Sequence, residues 1–338
     1  MALQTRQPGG STRDPAIDQL RGYAILAMTA THAAGSTPLY RLAHPTGPMS
    51  AASLFLLLAG MVLGRQVARR RNDGRLDDLR PALVRRAAWL WMVHVGLFAL
   101  FFVVDRTVAP MDVLADLPQP AWLGVVEVAA LWWRPTYFDI LPLYVFLLLG
   151  MVAIVEAIKR GGLWLVLLVS TVAYGLGQLQ GARVRGFGLA SWQVLFVLGA
   201  LGGLYRERLE AARWWLVPAA AMVLLATAIV ASRARPGIDR WLFQRATLGP
   251  GRLLHAVALV LVALPALSWL ARWPWGARLL APLGTMGRHS LLAFCVHLVA
   301  LMPLIASGAH RWPVMDQMIA ASAVVVVVYA ATAIADHR

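Results

Sequence analysis

Ten apolar runs, most of them about 20 residues long, recur along this 338-residue chain and leave little room for a fold outside a membrane. They fall near 15–34, 49–68, 82–104, 136–158, 162–179, 190–207, 211–231, 251–271, 281–304 and 314–335. Only 14% of the residues are charged and 59% are hydrophobic, too little polar surface for a soluble domain of this size. The mean hydropathy of +0.65 agrees. The expected fold class is therefore all-α, a polytopic integral membrane protein with about ten transmembrane helices. Residues 1–14 and 336–338 are expected as short tails, with 15–335 as one transmembrane domain. The tryptophan-rich segment 119–133 follows Pro118 and Pro120 and reads as an interfacial or re-entrant piece. Met1–Pro15 lack the basic flank, apolar core and small-residue cleavage site of a signal peptide, so the first apolar helix is expected to stay.

The net charge of +15 suggests nucleic acid at first sight, but the basic residues cluster beside apolar segments and form no nucleic-acid motif. Topology control and contact with anionic lipid or ligand explain them better. Arginines crowd the link between the second and third segments, from Arg65 through Arg71, Arg75 and Arg80 to Arg85 and Arg86. Lys159 (the only lysine) with Arg160, then Arg206, Arg208 and Arg213, then Arg272 and Arg278, fall on the same side. That side, and both termini with it, is expected to be cytoplasmic. Against the pattern, Arg233, Arg235, Arg240, Arg245 and Arg252 lie outside with only Asp239 nearby. Weaker topology control and a site for an anionic partner explain that loop equally well.

Ionisable groups are expensive in lipid, so several on one apolar helix point to a protein-lined, water-reachable site. The first segment carries Asp18, Arg21 and His32 just after Asp14. Three helical turns, a rise of roughly 16 Å, separate Arg21 from His32 on nearly the same flank. An imidazole can take a proton from an alcohol near neutral pH and release it later. Its bland alternative is an interfacial histidine. Arg21 can hold a phosphate or carboxylate with Asp18 orienting it, or simply form an i,i+3 ion pair. Asp14 either belongs to that charged set or caps the helix before Pro15.

Two further sets stand out. Tyr137-Phe138-Asp139-Ile140-Leu141-Pro142-Leu143-Tyr144 enters the fourth span from outside. There Asp139 could orient His32 or bind a sugar hydroxyl, while Tyr137 and Tyr144 offer stacking faces. Gly287-Arg288-His289-Ser290 opens the ninth span, with His297 further along it. Arg288, His289, Arg85 and Arg86 suit a phosphorylated ligand, although arginines so placed also snorkel as topology determinants. His94 and His297 read as packed polar contacts. Gln178, Trp192 and Gln193, near Arg183 and Arg185, combine amides with an aromatic face, as carbohydrate sites and membrane interfaces both do. The histidines show no convincing zinc spacing, and no metal site is expected. Cys295 is the single cysteine, so no intrachain disulfide can form.

These segments, in this order, resemble the OpgC family within the acyltransferase-3 group of membrane enzymes. The likeness rests on Arg13-Asp14 through Arg21-Gly22 to His32, on Tyr137 to Tyr144, on Trp192-Gln193-Val194-Leu195-Phe196-Val197-Leu198-Gly199, and on Leu283-Gly284 through Ser290. The Arg21–His32 separation is similar to that group's arginine, ten residues, histidine signature. Thr31 stands where family members often have an amide residue. The resemblance implies a ten-helix acyltransferase of a bacterial inner membrane that adds succinyl groups to osmoregulated periplasmic glucans. It implies a succinyl-CoA (or other acyl-CoA) co-substrate on the cytoplasmic side and no tightly bound cofactor. His32 becomes the catalytic base, supported by Asp18 and Asp139. Arg21, Arg85, Arg86, Arg288 and His289 face the donor, and Tyr137, Tyr144, Gln178, Trp192 and Gln193 face the glucan. Membrane lipids are the remaining expected partners. The rival readings are a transporter or flippase for an anionic or glycosylated molecule and a noncatalytic subunit that binds lipid or glucan.

Overall fold

The computed structural model describes residues 13–34, 37–48, 50–118, 120–132, 137–180, 188–233 and 241–337. Thr136, Arg183, Arg185, Arg235, Asp239 and Arg240 lie outside them. The described residues form helices and no strand. In chain order the helices are α1 (Pro15–Ala34), α2 (Pro38–Ala43), α3 (Ala51–Asn72), α4 (Leu79–Thr107), α5 (Ala121–Ala129), α6 (Ile140–Lys159) and α7 (Leu163–Gln180). After them come α8 (Leu189–Leu204), α9 (Arg206–Ala211), α10 (Arg213–Arg233), α11 (Pro250–Leu270), α12 (Pro274–Arg288), α13 (Ser290–Ala306) and α14 (Val314–Asp336).

Each of the ten apolar segments is helical where it is described, but the helices differ in length and apolar content. Among the described residues six are long and apolar enough to cross a bilayer, and seven if α12 and α13 count as one broken span. Helices α7 and α8 have 18 and 16 residues, so they run about 27 and 24 Å against a hydrocarbon core of about 30 Å. In α1 the polar residues Asp18, Gln19, Arg21 and His32 dilute a 20-residue apolar stretch. The ninth segment is not one helix. Its halves meet at 86°, and His289 (φ −106°, ψ 33°) ends one and begins the other. Among its described residues, segment 119–133 contains only the nine-residue α5, too short to cross, with Ala129 O accepting the Trp91 Nε1–H at 2.7 Å.

Two close backbone approaches set the packing. Helices α3 and α8 lie so near that a Cβ at Gly60, Gly64, Gly199 or Gly203 would come 1.9–2.1 Å from a carbonyl oxygen of the other helix. Paired small-xxx-small spacing allows such contact between membrane helices. Helices α1 and α12 touch likewise: a Cβ on Gly22 would sit 1.9 Å from Leu283 O, and one on Gly287 1.7 Å from Asp18 O. The remaining faces of α1 meet α2, α3, α11, α13 and α14, which makes it the axis of the bundle. At its start, Asp14 Oδ1 accepts the Ala16 N–H at 3.0 Å, the capping bond expected before Pro15. The other carboxylate oxygen pairs with Arg65 at 2.9 Å and Arg206 at 3.3 Å. Asp336, ending α14, pairs with Arg288 and His289. The start of α1 and the end of α14 therefore lie at the same end of the bundle.

Candidate functional site

The far end of α1 brings two histidines together. His32 Nδ1 lies 3.1 Å from His297 Nε2, and His297 Nδ1 lies 2.8 Å from Phe294 O. A carbonyl only accepts, so His297 Nδ1 carries the proton there, and in a neutral ring its Nε2 must then accept. His32 consequently donates from Nδ1 and keeps a lone pair on Nε2. This tautomer assignment follows from the hydrogen-bond network. Among the described residues, His32 Nε2 has no hydrogen-bond partner. His297 is fully buried, whereas His32 keeps some exposure.

Tyr137 closes the other side of the ring. Its centroid is 4.4 Å from that of His32, edge-on at 62°. Tyr137 has φ 75°, a region that bulky side chains avoid and that functional sites often retain. Phe138 beside it is fully buried and stacks edge-on with Phe101 at 4.8 Å, which anchors the strained turn. Burial pushes the Tyr137 hydroxyl above its ordinary pKa, and the charge of Arg245 pulls it back. Asp139 opens α6 two residues later and is half-buried. His297 holds the His32 ring at Nδ1.

Arg21 occupies a second pocket, lower on the same face of α1. Its Nη2 donates to Ser290 Oγ at 2.6 Å, and its guanidinium lies 5.5 Å from the Phe55 ring centre. The i,i+3 ion pair with Asp18 does not form. Asp18 is buried and, among the described residues, makes no ion pair within 4.0 Å. A small cavity beside Arg21 is lined by Phe55, Arg86, Tyr144, Ser290 and Phe294. Arg86 stands 6.0 Å from the Tyr144 ring centre. Tyr144 thus joins the arginines, away from the Tyr137 end where a sugar face was expected. Ser290, Phe294 and His297 follow one another at i, i+4 and i+7 on α13, so one stripe of that helix serves both pockets.

Most of the other expected site residues have structural partners. Arg288 and His289 both reach the Asp336 carboxylate, at 3.0 Å from Arg288 Nε and 3.0 Å from His289 Nε2. Arg85 is exposed on α4. Gln193 joins α7 to α8: its Nε2 donates to Ser170 O at 2.8 Å and its Oε1 accepts from Ser170 Oγ at 2.9 Å. Trp192 Nε1 donates to Arg245 O and Ala246 O, and Gln178 Nε2 donates to Thr247 O. These two side chains secure the loop that carries Arg245 beside Tyr137. In the anomalous basic loop, Arg252 is spent on the carbonyls of Phe243 and Pro48. Thr31, the departure noted before His32, donates to Ala27 O at 2.8 Å and lies 3.3 Å from His44 Nε2.

Sequence reasoning missed His297 and Ser290 as partners of His32 and Arg21. Their seven-residue spacing, read beside the 11-residue Arg21–His32 interval, was the available signal. Among the described residues no group of three or more potential ligands could hold a metal ion.

The OpgC protein family matches residues 13–338, which takes in every group just described. The chain belongs to the OpgC family. No curated protein and no solved structure matches it. Within this OpgC-family chain, the two pockets can do different chemistry: one presents a lone pair beside an aromatic wall, the other a fork of guanidinium donors beside a hydroxyl.

Proposed function

We propose that this OpgC-family protein is a membrane O-acyltransferase. It moves a succinyl or related acyl group from cytoplasmic acyl-CoA to a hydroxyl of a periplasmic glucan. Family membership supports a transferase acting on glucans. The observation that carries the mechanism is the Phe294 O–His297–His32 chain, which leaves Nε2 of His32 as a base.

The acceptor hydroxyl approaches Nε2 along the Tyr137 face. His32 takes its proton as the oxygen attacks the thioester carbonyl carbon, forming the C–O bond. The tetrahedral adduct collapses, the C–S bond breaks, and His32 returns the proton to the departing thiolate. Positive charge gathering on His32 is shared through Nδ1–H with His297, much as a carboxylate serves elsewhere. Arg21, with Arg86 nearby, meets a phosphate or carboxylate of the donor and sets its depth. The roughly 16 Å between Arg21 and His32 along α1 leaves room for an extended thiol arm.

Protein in lipid vesicles, given glucan and succinyl-CoA, should yield glucan heavier by one succinyl group per transfer, read by mass spectrometry. The His32→Ala variant should yield about 10²–10⁴-fold less. Unmodified glucan with folded, glucan-binding protein would overturn this donor–acceptor pair. Movement of glucan across the vesicle membrane without donor consumption would favour a transporter instead.

A further inference from the structure

A cavity of about 390 Å³ opens at the start of α1, between α1, α3, α8, α9, α10 and α11. It shares no lining residue with the Arg21 pocket. Arg65, Arg206, Arg213 and Arg272 line it against two carboxylates, Asp14 and Glu210. Asp14 pairs with Arg65 and Arg206, and Glu210 pairs with Arg206. Arg213 and Arg272 make no ion pair among the described residues and are exposed. The cavity therefore carries two more arginines than carboxylates. Away from the arginines its wall is mostly apolar, with Leu216 and Val217 from α10 and Leu261, Leu264 and Pro265 from α11, and with Ser268 as the polar exception.

Tryptophans fix the depth of that charged rim. Trp214 and Trp215 follow Arg213 directly, and Trp269 and Trp273 flank Arg272, all four exposed. Trp269 and Trp273 also contact each other edge-on at 6.4 Å. Exposed tryptophans gather at the headgroup level of a bilayer. Helices α10 and α11 are mostly unburied by protein, at 11% and 22% of their apolar windows. An arginine cluster at headgroup depth, above an apolar groove open to the acyl region, is shaped for an amphiphile.

We propose that this cavity binds one anionic phospholipid, its phosphate on Arg213 and Arg272 and one acyl chain along Leu216, Leu261 and Leu264. The bound lipid would bridge α10 and α11 to the start of α1, through the Arg206–Asp14 contact. The site is separate from the transfer reaction, and His32→Ala should retain it.

The test uses delipidated full-length protein in detergent, with phosphatidylglycerol or phosphatidylcholine added back and bound lipid counted by native mass spectrometry. One phosphatidylglycerol per chain is expected, with phosphatidylcholine binding far more weakly. Arg213→Gln/Arg272→Gln should lower phosphatidylglycerol affinity by about tenfold or more, since charge-assisted contacts are lost. Should that variant misfold, Leu261→Trp fills the groove while leaving the arginines, and it too should release the lipid. Equal retention of the two lipids, or retention unchanged in both variants, would overturn the assignment. Displacement by inorganic phosphate would make it a phosphate site only, and displacement by succinyl-CoA would give the cavity to the acyl donor. Either result rules out the lipid.

Discussion

The two ends of α1 use ionisable residues in opposite ways. At the first turn, Asp14 spends its carboxylate on Ala16 N–H, Arg65 and Arg206. At the last turn, His32 has one nitrogen held by His297 and none of the described residues on the other. Both groups are drawn into protein from water, and both cost free energy to place there. What separates them is satisfaction. A group whose partners are all supplied by the fold fastens helices, while a group held on one side only is prepared for something the fold lacks. The Asp14 end should therefore answer mutation in stability, and the His32 end in activity.

The largest effect is expected at His32. His32→Ala should lower acyl transfer by about 10²–10⁴-fold, the usual contribution of a positioned acid–base group, with thermal unfolding nearly unchanged. Asp14→Asn should do the reverse. Loss of its partly exposed ion pairs should cost roughly 1–3 kcal/mol of stability, with activity per folded molecule kept. Denaturation in detergent, run beside the transfer assay, separates them. A His32 variant that unfolds early, or an Asp14 variant that folds well but is inactive, would break the contrast.

His297 sharpens the same comparison one step removed, because it acts only through His32. His297→Ala should leave the His32 ring free to rotate and to adopt the wrong tautomer. A fall of about 10–100-fold in kcat is expected, as when the partner that orients a working histidine is removed, with acceptor KM little changed. His297→Gln, whose side-chain carbonyl can still accept from His32 Nδ1, should recover part of it. If His297 merely packs, Leu would serve better than Gln. The order of the Gln and Leu variants therefore decides the point.

The ten apolar segments were legible because a run of about 20 apolar residues has few other uses. Their equal weight as spans was not. Helix α1 runs along the bundle axis, wrapped in protein on most sides, so its sequence needs no lipid-facing surface and tolerates Asp18 and Arg21. The break at His289 was also hidden: just before it Gly287 meets Asp18 O, a contact between residues far apart in the chain. At the site, His32 and Arg21 stood out by being charged or polar in an apolar run. His297 did not, since a single histidine in a helix looks alike whether it packs or pairs. Gln178, Trp192 and Gln193 were ambiguous for a related reason, as polar side chains that bond backbone carbonyls have the same composition as those that bind sugars.

Arg21 lies between the two ends and should give an intermediate effect. Its Nη2 is held by Ser290 Oγ, its face rests near Phe55, and its Nε has no hydrogen-bond partner. Arg21→Lys keeps the charge but loses the planar fork. Donor KM should rise about tenfold, the cost of one charge-assisted contact, with acceptor KM unchanged. A larger effect on the acceptor would move Arg21 out of the donor pocket.

The smallest effect concerns His44, the neighbour of His32 through Thr31. Its Nδ1 donates to Tyr40 O at 3.0 Å, and its Nε2 lies 3.3 Å from Thr31 Oγ1. Burial lowers its pKa below the ordinary 6.5; the Tyr40 carbonyl opposes that shift and nearby Arg252 adds to it. Unfolded chain then binds a proton before folded chain does. The stability tied to neutral His44 is present above pH 6.5 and is lost as pH falls through the lowered folded value. His44→Gln should flatten that part of the curve without touching the slope due to other histidines. Unfolding midpoints of the two proteins measured across that range should diverge at high pH and converge at low pH. Parallel curves would mean that His44 titrates alike in both states, leaving Thr31 to brace the His32 end through Ala27 O alone.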